Sequence, residues 1–164
     1  MAFMSTSSEK QFLPLNIAIL VVSDTRTEAD DTSGKCLVER LQASEHLLAA
    51  KAIVKDDIYQ IRATVSQWIA DEQVNVIIST GGTGVTGRDG TPEAITPLLD
   101  KTLDGFGEVF RMLSYNDIKT STIQSRAISG VANATYLFCL PGSASACRTA
   151  WDSLIKEQLD FRTK

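Results

Sequence analysis

The chain has 164 residues, of which 43% are apolar and 22% charged, and its formal net charge is -4. These proportions exclude a disordered chain, and the longest apolar run, 17–22, is far too short to span a bilayer. Net acidity without any block of Lys or Arg argues against nonspecific binding to nucleic acid or to an acidic membrane surface.

In chain order, the polar start lacks the basic segment and apolar core of a secretory signal. It reads as a loose tail over 1–12 ahead of one domain at 13–164, in a cytoplasmic protein. Residues 16–23 form a continuous Ile/Leu/Val run, expected for a strand buried on both faces of a parallel sheet. A loop over 24–30 follows. Asp31 or Thr32 can cap a helix reaching about Leu48, with Leu37, Leu41, Ser44 and Leu48 on one face. Residues 52–54 read as a short second strand. Ile58, Ile61, Val65, Trp68 and Ile69 make a helical stripe that Asp57 would cap.

Residues 74–79 are the next buried strand, and a glycine loop begins where it ends. Thr91 opens a helix to about Leu99, with Pro92 at the permitted first position and Glu93 suiting the helix dipole. Residues 104–107 read as a turn, and 108–114 as a helix. Residues 128–132 and 135–140 read as strands joined by a tight turn at Asn133, which makes one pairing antiparallel. Pro141, Gly142 and Ser143 then lead into a final helix bearing Cys147, Trp151, Ile155 and Leu159. Strands alternating with helices predict an open α/β sheet covered on both faces, with ligands beyond the carboxyl ends of the strands. Three loops should converge there: 23–31, 80–91 and 141–145.

Cys36, Cys139 and Cys147 have no CxxC spacing, so neither a disulfide framework nor a zinc site is expected. His46 is the sole histidine. That removes His-based triads and multi-histidine metal sites, and leaves His46 as an ordinary solvated helix residue.

The glycine loop carries the chemistry. Gly82 to Gly87 formally matches GxGxxG, but Arg88, Asp89 and Gly90 intervene before the helix, and no acidic residue closes a following strand. A P-loop fails as well, because no Gly-Lys-Ser/Thr follows. What remains is an anion site: glycines admit backbone N–H groups close to a phosphate, and the helix at Thr91 points its positive end the same way. Asp89 could be satisfied by neighbouring N–H groups or could hold a cation. Asp56, just after a strand, belongs at the same end of the sheet, and two carboxylates completed by phosphate oxygens suit octahedral Mg²⁺. Arg88 is the best placed arginine to neutralise phosphate; Arg26 and Arg111 are further candidates, or partners for Asp30 and Glu108. Ser143 can cap the last helix, offer its hydroxyl to a ligand, or do both.

Taken together, Gly81-Gly82-Thr83-Gly84, Arg88-Asp89, Thr91-Pro92-Glu93-Ala94, Gly105-Phe106-Gly107-Glu108, Arg111-Met112-Leu113-Ser114 and Leu140-Pro141-Gly142-Ser143 resemble the molybdopterin-binding (MoaB/Mog) family, its MoaB type above all. The resemblance runs from about Ile17 to Leu159. It implies a three-layer α/β sandwich with a mostly parallel central sheet, and a homotrimer or homohexamer. It also implies molybdenum cofactor biosynthesis, in which catalytic members use Mg-ATP to adenylylate molybdopterin. By position, Asp56 and Asp89 would be the catalytic, metal-associated carboxylates. Gly81, Gly82, Thr83, Gly84, Arg88, Thr91, Pro141 and Gly142 would line the nucleotide or pterin pocket, with Ser114 and Ser143 on the pterin side. Gly90 stands where catalytic relatives usually have an apolar residue, and the alternative is a noncatalytic molybdopterin-binding or partner-binding protein of the same pathway.

Overall fold

The computed structural model describes residues 10–163. Most of the tail expected over 1–12 therefore lies outside the described residues. Six strands form one sheet: β1 (Asn16–Val22), β2 (Leu47–Val54), β3 (Val76–Thr80), β4 (Lys101–Thr102), β5 (Ile128–Ala132) and β6 (Thr135–Leu140), in the order β2-β1-β3-β6-β5-β4. The first four positions in that order run parallel, while β5 is antiparallel to both β6 and β4. Asn133 and Ala134, at φ 48° and 62°, make the tight β5–β6 connection. Two successive positive φ values match the twist that a two-residue hairpin needs.

Strand β1 is apolar from Ile17 to Val22 because helices cover both of its faces. Ile17, Ile19 and Val21 pack with Leu37 and Leu41 of α1 (Ser33–Ala43), Phe110 of α4 (Asp104–Ile118), and Trp151 and Ile155. The last two follow α5 (Ala144–Ala150) in a π-helical turn. Ala18, Leu20 and Val22 pack the other way, with Ile61 and Val65 of α2 (Ile58–Ala70) and Ala94 and Ile95 of α3 (Thr91–Ile95). This is the expected three-layer α/β sandwich. No helix among the described residues is long and apolar enough to cross a membrane.

Three local expectations are corrected. Helix α1 ends at Ala43 rather than near Leu48, the chain turns at Glu45 with φ 65°, and β2 takes all of Leu47–Val54. Pairing along β1, from Asn16 with Leu47 to Val22 with Val54, overrides the helical spacing of the leucines. His46 is consequently not a solvated helix residue: it is 3% exposed, and its Nδ1 accepts the Leu15 N–H at 3.1 Å. Residues 104–107 are the first turn of α4 rather than a separate turn. The glycine there serves packing, since a Cβ on Gly107 would lie 2.6 Å from the Ala127 carbonyl oxygen. The two-residue edge strand β4 was too short to leave a periodic signal.

Candidate functional site

Beyond the carboxyl ends of β1, β2, β3 and β6 lies a cavity of about 590 Å³. The glycine loop forms its floor. Gly81 and Gly82 leave β3 with φ of 103° and 72°, and a Cβ on them would collide with the Val22 carbonyl and the Thr91 hydroxyl respectively. Backbone and side-chain bonds fix the turn: Gly81 N–H to Leu140 O (2.9 Å), Thr91 N–H to Gly82 O (3.0 Å), and the Thr91 hydroxyl to Gly81 O (2.9 Å).

Gly81, Gly82, Thr83, Gly84, Arg88, Asp89, Asp56, Ser114, Pro141, Gly142 and Ser143 all line this one cavity. Thr91 does not. It is fully buried behind the loop, and its hydroxyl is spent on Gly81. Ser143 caps α5, its Oγ accepting the Ala146 N–H at 3.1 Å, which leaves its own proton free to donate. Arg26 reaches the wall but donates to Asp30 O at 2.6 Å. Arg111 lies outside the cavity and holds the Ser125 and Ala127 carbonyls at 3.2 and 3.0 Å.

The two expected carboxylates are held differently. Asp56 is 9% exposed and accepts the Gly90 N–H at 3.1 Å. Burial pushes its pKa above the usual carboxylate value; the Gly90 bond opposes this, and the charges of Asp89 and Asp24 add to it. Asp89 accepts from both the N–H (2.9 Å) and the hydroxyl (2.7 Å) of Thr86, closing a local turn. So the loop carboxylate has its own local partners and also faces the cavity.

Arg88, the arginine best placed to neutralise phosphate, lines the cavity, and its Nε and Nη2 donate to Asp24 at 3.0 and 2.8 Å. That fork lowers the Asp24 pKa. Asp24 also accepts the Asp56 N–H at 3.1 Å, so it ties the loop after β1 to the end of β2 and to the glycine loop. Asp24 was missed, although its place just after a buried strand is the same signal that picked out Asp56. Also missed was the wall from α4 and the following turn, where Phe110, Asp117, Ile118, Ser121 and Ser125 line the cavity. The Ser125 Oγ is buried with no partner.

Among the described residues no group of three or more His, Cys, Asp or Glu side chains is arranged to hold a metal unaided. The donors present are nevertheless hard oxygens, and Asp56 carries a burial cost, only partly offset by Gly90 and Arg88, that a cation would relieve. Asp56 and Asp89, both lining the cavity, would be the carboxylates to hold a Mg²⁺ ion that shares its shell with ligand phosphates, since Mg²⁺ is usually bound by one or two carboxylates plus substrate phosphates.

Comparison with known proteins identifies the family. Residues 18–160 match the family model described as "Probable molybdopterin binding domain". The chain is 56% identical to molybdenum cofactor biosynthesis protein B of Escherichia coli K12 over 154 residues, 94% of this chain and 91% of that protein. It is 44% identical to the Bacillus subtilis protein of the same name, covering 95% and 94% of the two chains. A crystal structure of a molybdenum cofactor biosynthesis protein B superposes with TM-score 0.88 at 42% identity, covering 92% and 94%. The tungsten cofactor synthesizing protein MoaB from Pyrococcus furiosus does so with TM-score 0.78 at 34% identity, covering 85% and 89%. On this agreement of sequence and fold, the chain belongs to the molybdopterin-binding domain family, alongside the B-type molybdenum cofactor biosynthesis proteins.

Proposed function

We propose that the protein acts in molybdenum cofactor biosynthesis by binding molybdopterin in the cavity and transferring AMP to its terminal phosphate from Mg-ATP. The observation that carries this reading is the convergence of Asp56, Asp89 and the Gly81–Gly84 backbone in one cavity. An oxygen of the molybdopterin phosphate attacks the α-phosphorus of ATP, the α–β bond breaks, and pyrophosphate leaves with the electron pair. Two anions must meet in line, so positioning and charge neutralisation dominate, and no protein nucleophile is needed. Mg²⁺, when bound, supplies the positive charge that screens the phosphates.

The protein's own contribution is placement. The glycine loop offers N–H groups to phosphate oxygens, Asp56 and Asp89 orient what they hold, and the α4 wall with its hydroxyls presents partners to the polar edges of a pterin. The Arg88–Asp24 ion pair favours a second reading, in which molybdopterin is bound and passed on without adenylylation, because the loop's own arginine is already paired with a carboxylate.

A homotrimer or homohexamer belongs to the same proposal. Val109, Met112 and Tyr115 follow one another at three-residue steps on α4 and are exposed, with Met112 64% and nearby Ile123 77% accessible. An apolar face of that kind suits a subunit contact. Sedimentation would report it as a mass three or six times that of one chain.

The deciding experiment is anaerobic conversion of molybdopterin and Mg-ATP into adenylylated molybdopterin, with Asp89→Asn as control. Product from the unmodified protein alone supports the transferase. Folded, molybdopterin-binding protein that makes no product selects the noncatalytic reading.

A further inference from the structure

We infer that Arg126 is a positioning residue that sets the loop bearing Asp89 from behind, and so couples the two walls of the cavity. The inference rests on the reading of that loop as the ligand-handling element. Arg126 follows the turn after α4 and precedes β5, and it is absent from the cavity lining. Yet it reaches the glycine loop at three points and the helix that follows at a fourth. Its backbone N–H donates to Thr83 O at 3.1 Å, Nε to Gly84 O at 2.8 Å, Nη2 to Asp89 O at 3.1 Å, and Nη1 pairs with the Glu93 carboxylate.

These contacts span the loop from its first residues, through Asp89, to the first turn of α3. The planar guanidinium matches two carbonyls and one carboxylate at once, a geometry that an ammonium cannot reproduce. The side chain is 32% exposed, and its bonds to the Gly84 and Asp89 carbonyls are partly buried. Inside the cavity the loop is held by Asp56 at Gly90 and by Thr86 at Asp89, but those bonds lie within or beside the ligand space. From outside it, Thr91 holds Gly81 and Gly82, and Arg126 holds the stretch from Thr83 to Asp89.

The second consequence is mechanical. The turn that ends next to Arg126 carries Ser121, Gln124 and Ser125 into the opposite wall. A ligand that shifts this wall moves Arg126 with it, and thereby the Gly84 and Asp89 carbonyls. Pterin occupancy and the setting of Asp89 are therefore linked through one side chain.

The test is full-length protein carrying Arg126→Ala or Arg126→Lys, with Glu93→Gln as comparison, read by molybdopterin affinity and by amide hydrogen exchange over residues 83–90. Arg126→Ala should weaken molybdopterin binding about tenfold or more. It should also speed exchange in that segment roughly tenfold. Free guanidinium at millimolar concentration should recover part of the affinity, which equal NaCl should not. Arg126→Lys should stay weak, because charge without the fork is insufficient, and Glu93→Gln should change affinity by less than about threefold. If Arg126→Ala does not fold, Arg126→Lys carries the test with the same two readouts. Unmodified affinity with unchanged exchange in the folded variant overturns the inference. Neither readout needs AMP transfer, so an unmodified protein that binds molybdopterin without turnover would refute the transferase reading and leave this test intact.

Discussion

Arg88 and Asp24 meet in a two-point ion pair, Nε to Oδ2 at 3.0 Å and Nη2 to Oδ1 at 2.8 Å, across the mouth of the cavity. The pair spends the loop's arginine on a protein carboxylate instead of offering it to a ligand. Asp24→Asn removes one negative charge from a cavity meant for a polyanion and frees Arg88. Without Mg²⁺, molybdopterin affinity should rise about three- to tenfold at low ionic strength. The gain should shrink in high salt, because both partners are substantially exposed. Titration of molybdopterin at two NaCl concentrations checks this, and weaker binding by the variant at low salt would assign Asp24 a direct role in holding ligand.

Asp56 gives a second prediction. Its pKa is raised in the folded state, chiefly by burial, so the carboxylate there is destabilising once it ionises. A raised acid binds more protons folded than unfolded. Stability therefore falls as pH climbs from the unfolded carboxylate value, about 4, through the folded one, and remains lower above it. Asp56→Asn keeps an oxygen for the Gly90 N–H and loses the charge. At pH 7 its Tm should exceed that of the unmodified protein by roughly 1–3 °C, the difference vanishing below about pH 4. AMP transfer, if present, should fall about a hundredfold in the same variant. A lower Tm at pH 7 would contradict the assigned burial cost.

The parts of this molecule that were legible in its sequence share one property: neighbours along the chain fix them. The run from Ile17 to Val22, the Thr91-Pro92-Glu93 helix start and the Asn133 turn each declare themselves within a few residues, and each forms as expected. Residues 44–48 failed because the leucines fit a helix locally, whereas pairing with β1, some 30 residues away, claims them for β2. The cavity's glycines and Asp56 were readable from their places at strand ends, and Asp89 from its place between the glycines and the Thr91 helix. Arg126 and the Arg88–Asp24 pair were not, because each contact joins residues tens of positions apart, and no local pattern encodes the partner.

Gly84 separates folding from ligand handling. A Cβ added there would meet Asp89 Oδ2 at 2.7 Å, the movable end of a side chain rather than backbone. Gly81 contrasts with it, since a Cβ would strike the Val22 carbonyl at a φ of 103°. Gly84→Ala should therefore unfold within about 1 kcal/mol of the unmodified protein, while Gly81→Ala should lose roughly 2 kcal/mol or more. Molybdopterin affinity should nonetheless drop in Gly84→Ala, because Asp89 must swing away from Thr86. Urea unfolding and ligand titration on the same two variants check the separation, and equal destabilisation by both would refute it.

His46 gives the fold a source of acid sensitivity. Its ring is buried beside Phe12 (5.1 Å between centroids) and Trp151 (6.3 Å), and Nδ1 accepts the Leu15 N–H, so the neutral form with its proton on Nε2 is required. Desolvation lowers its pKa below the ordinary 6.5, with the Asp160 charge opposing. A base depressed in the folded state binds more protons once unfolded. Its contribution is thus complete above about pH 6.5 and is lost as pH falls from there through the folded value. Protonation would also break the bond to Leu15, which anchors the chain entering β1. Tm should decline between pH 6.5 and 5, before most carboxylates titrate. His46→Gln retains an acceptor without a titrating ring, so it should unfold about 1 kcal/mol more easily at pH 7.5 yet show a flatter profile over that interval. Parallel slopes for the two proteins would place the acid sensitivity elsewhere.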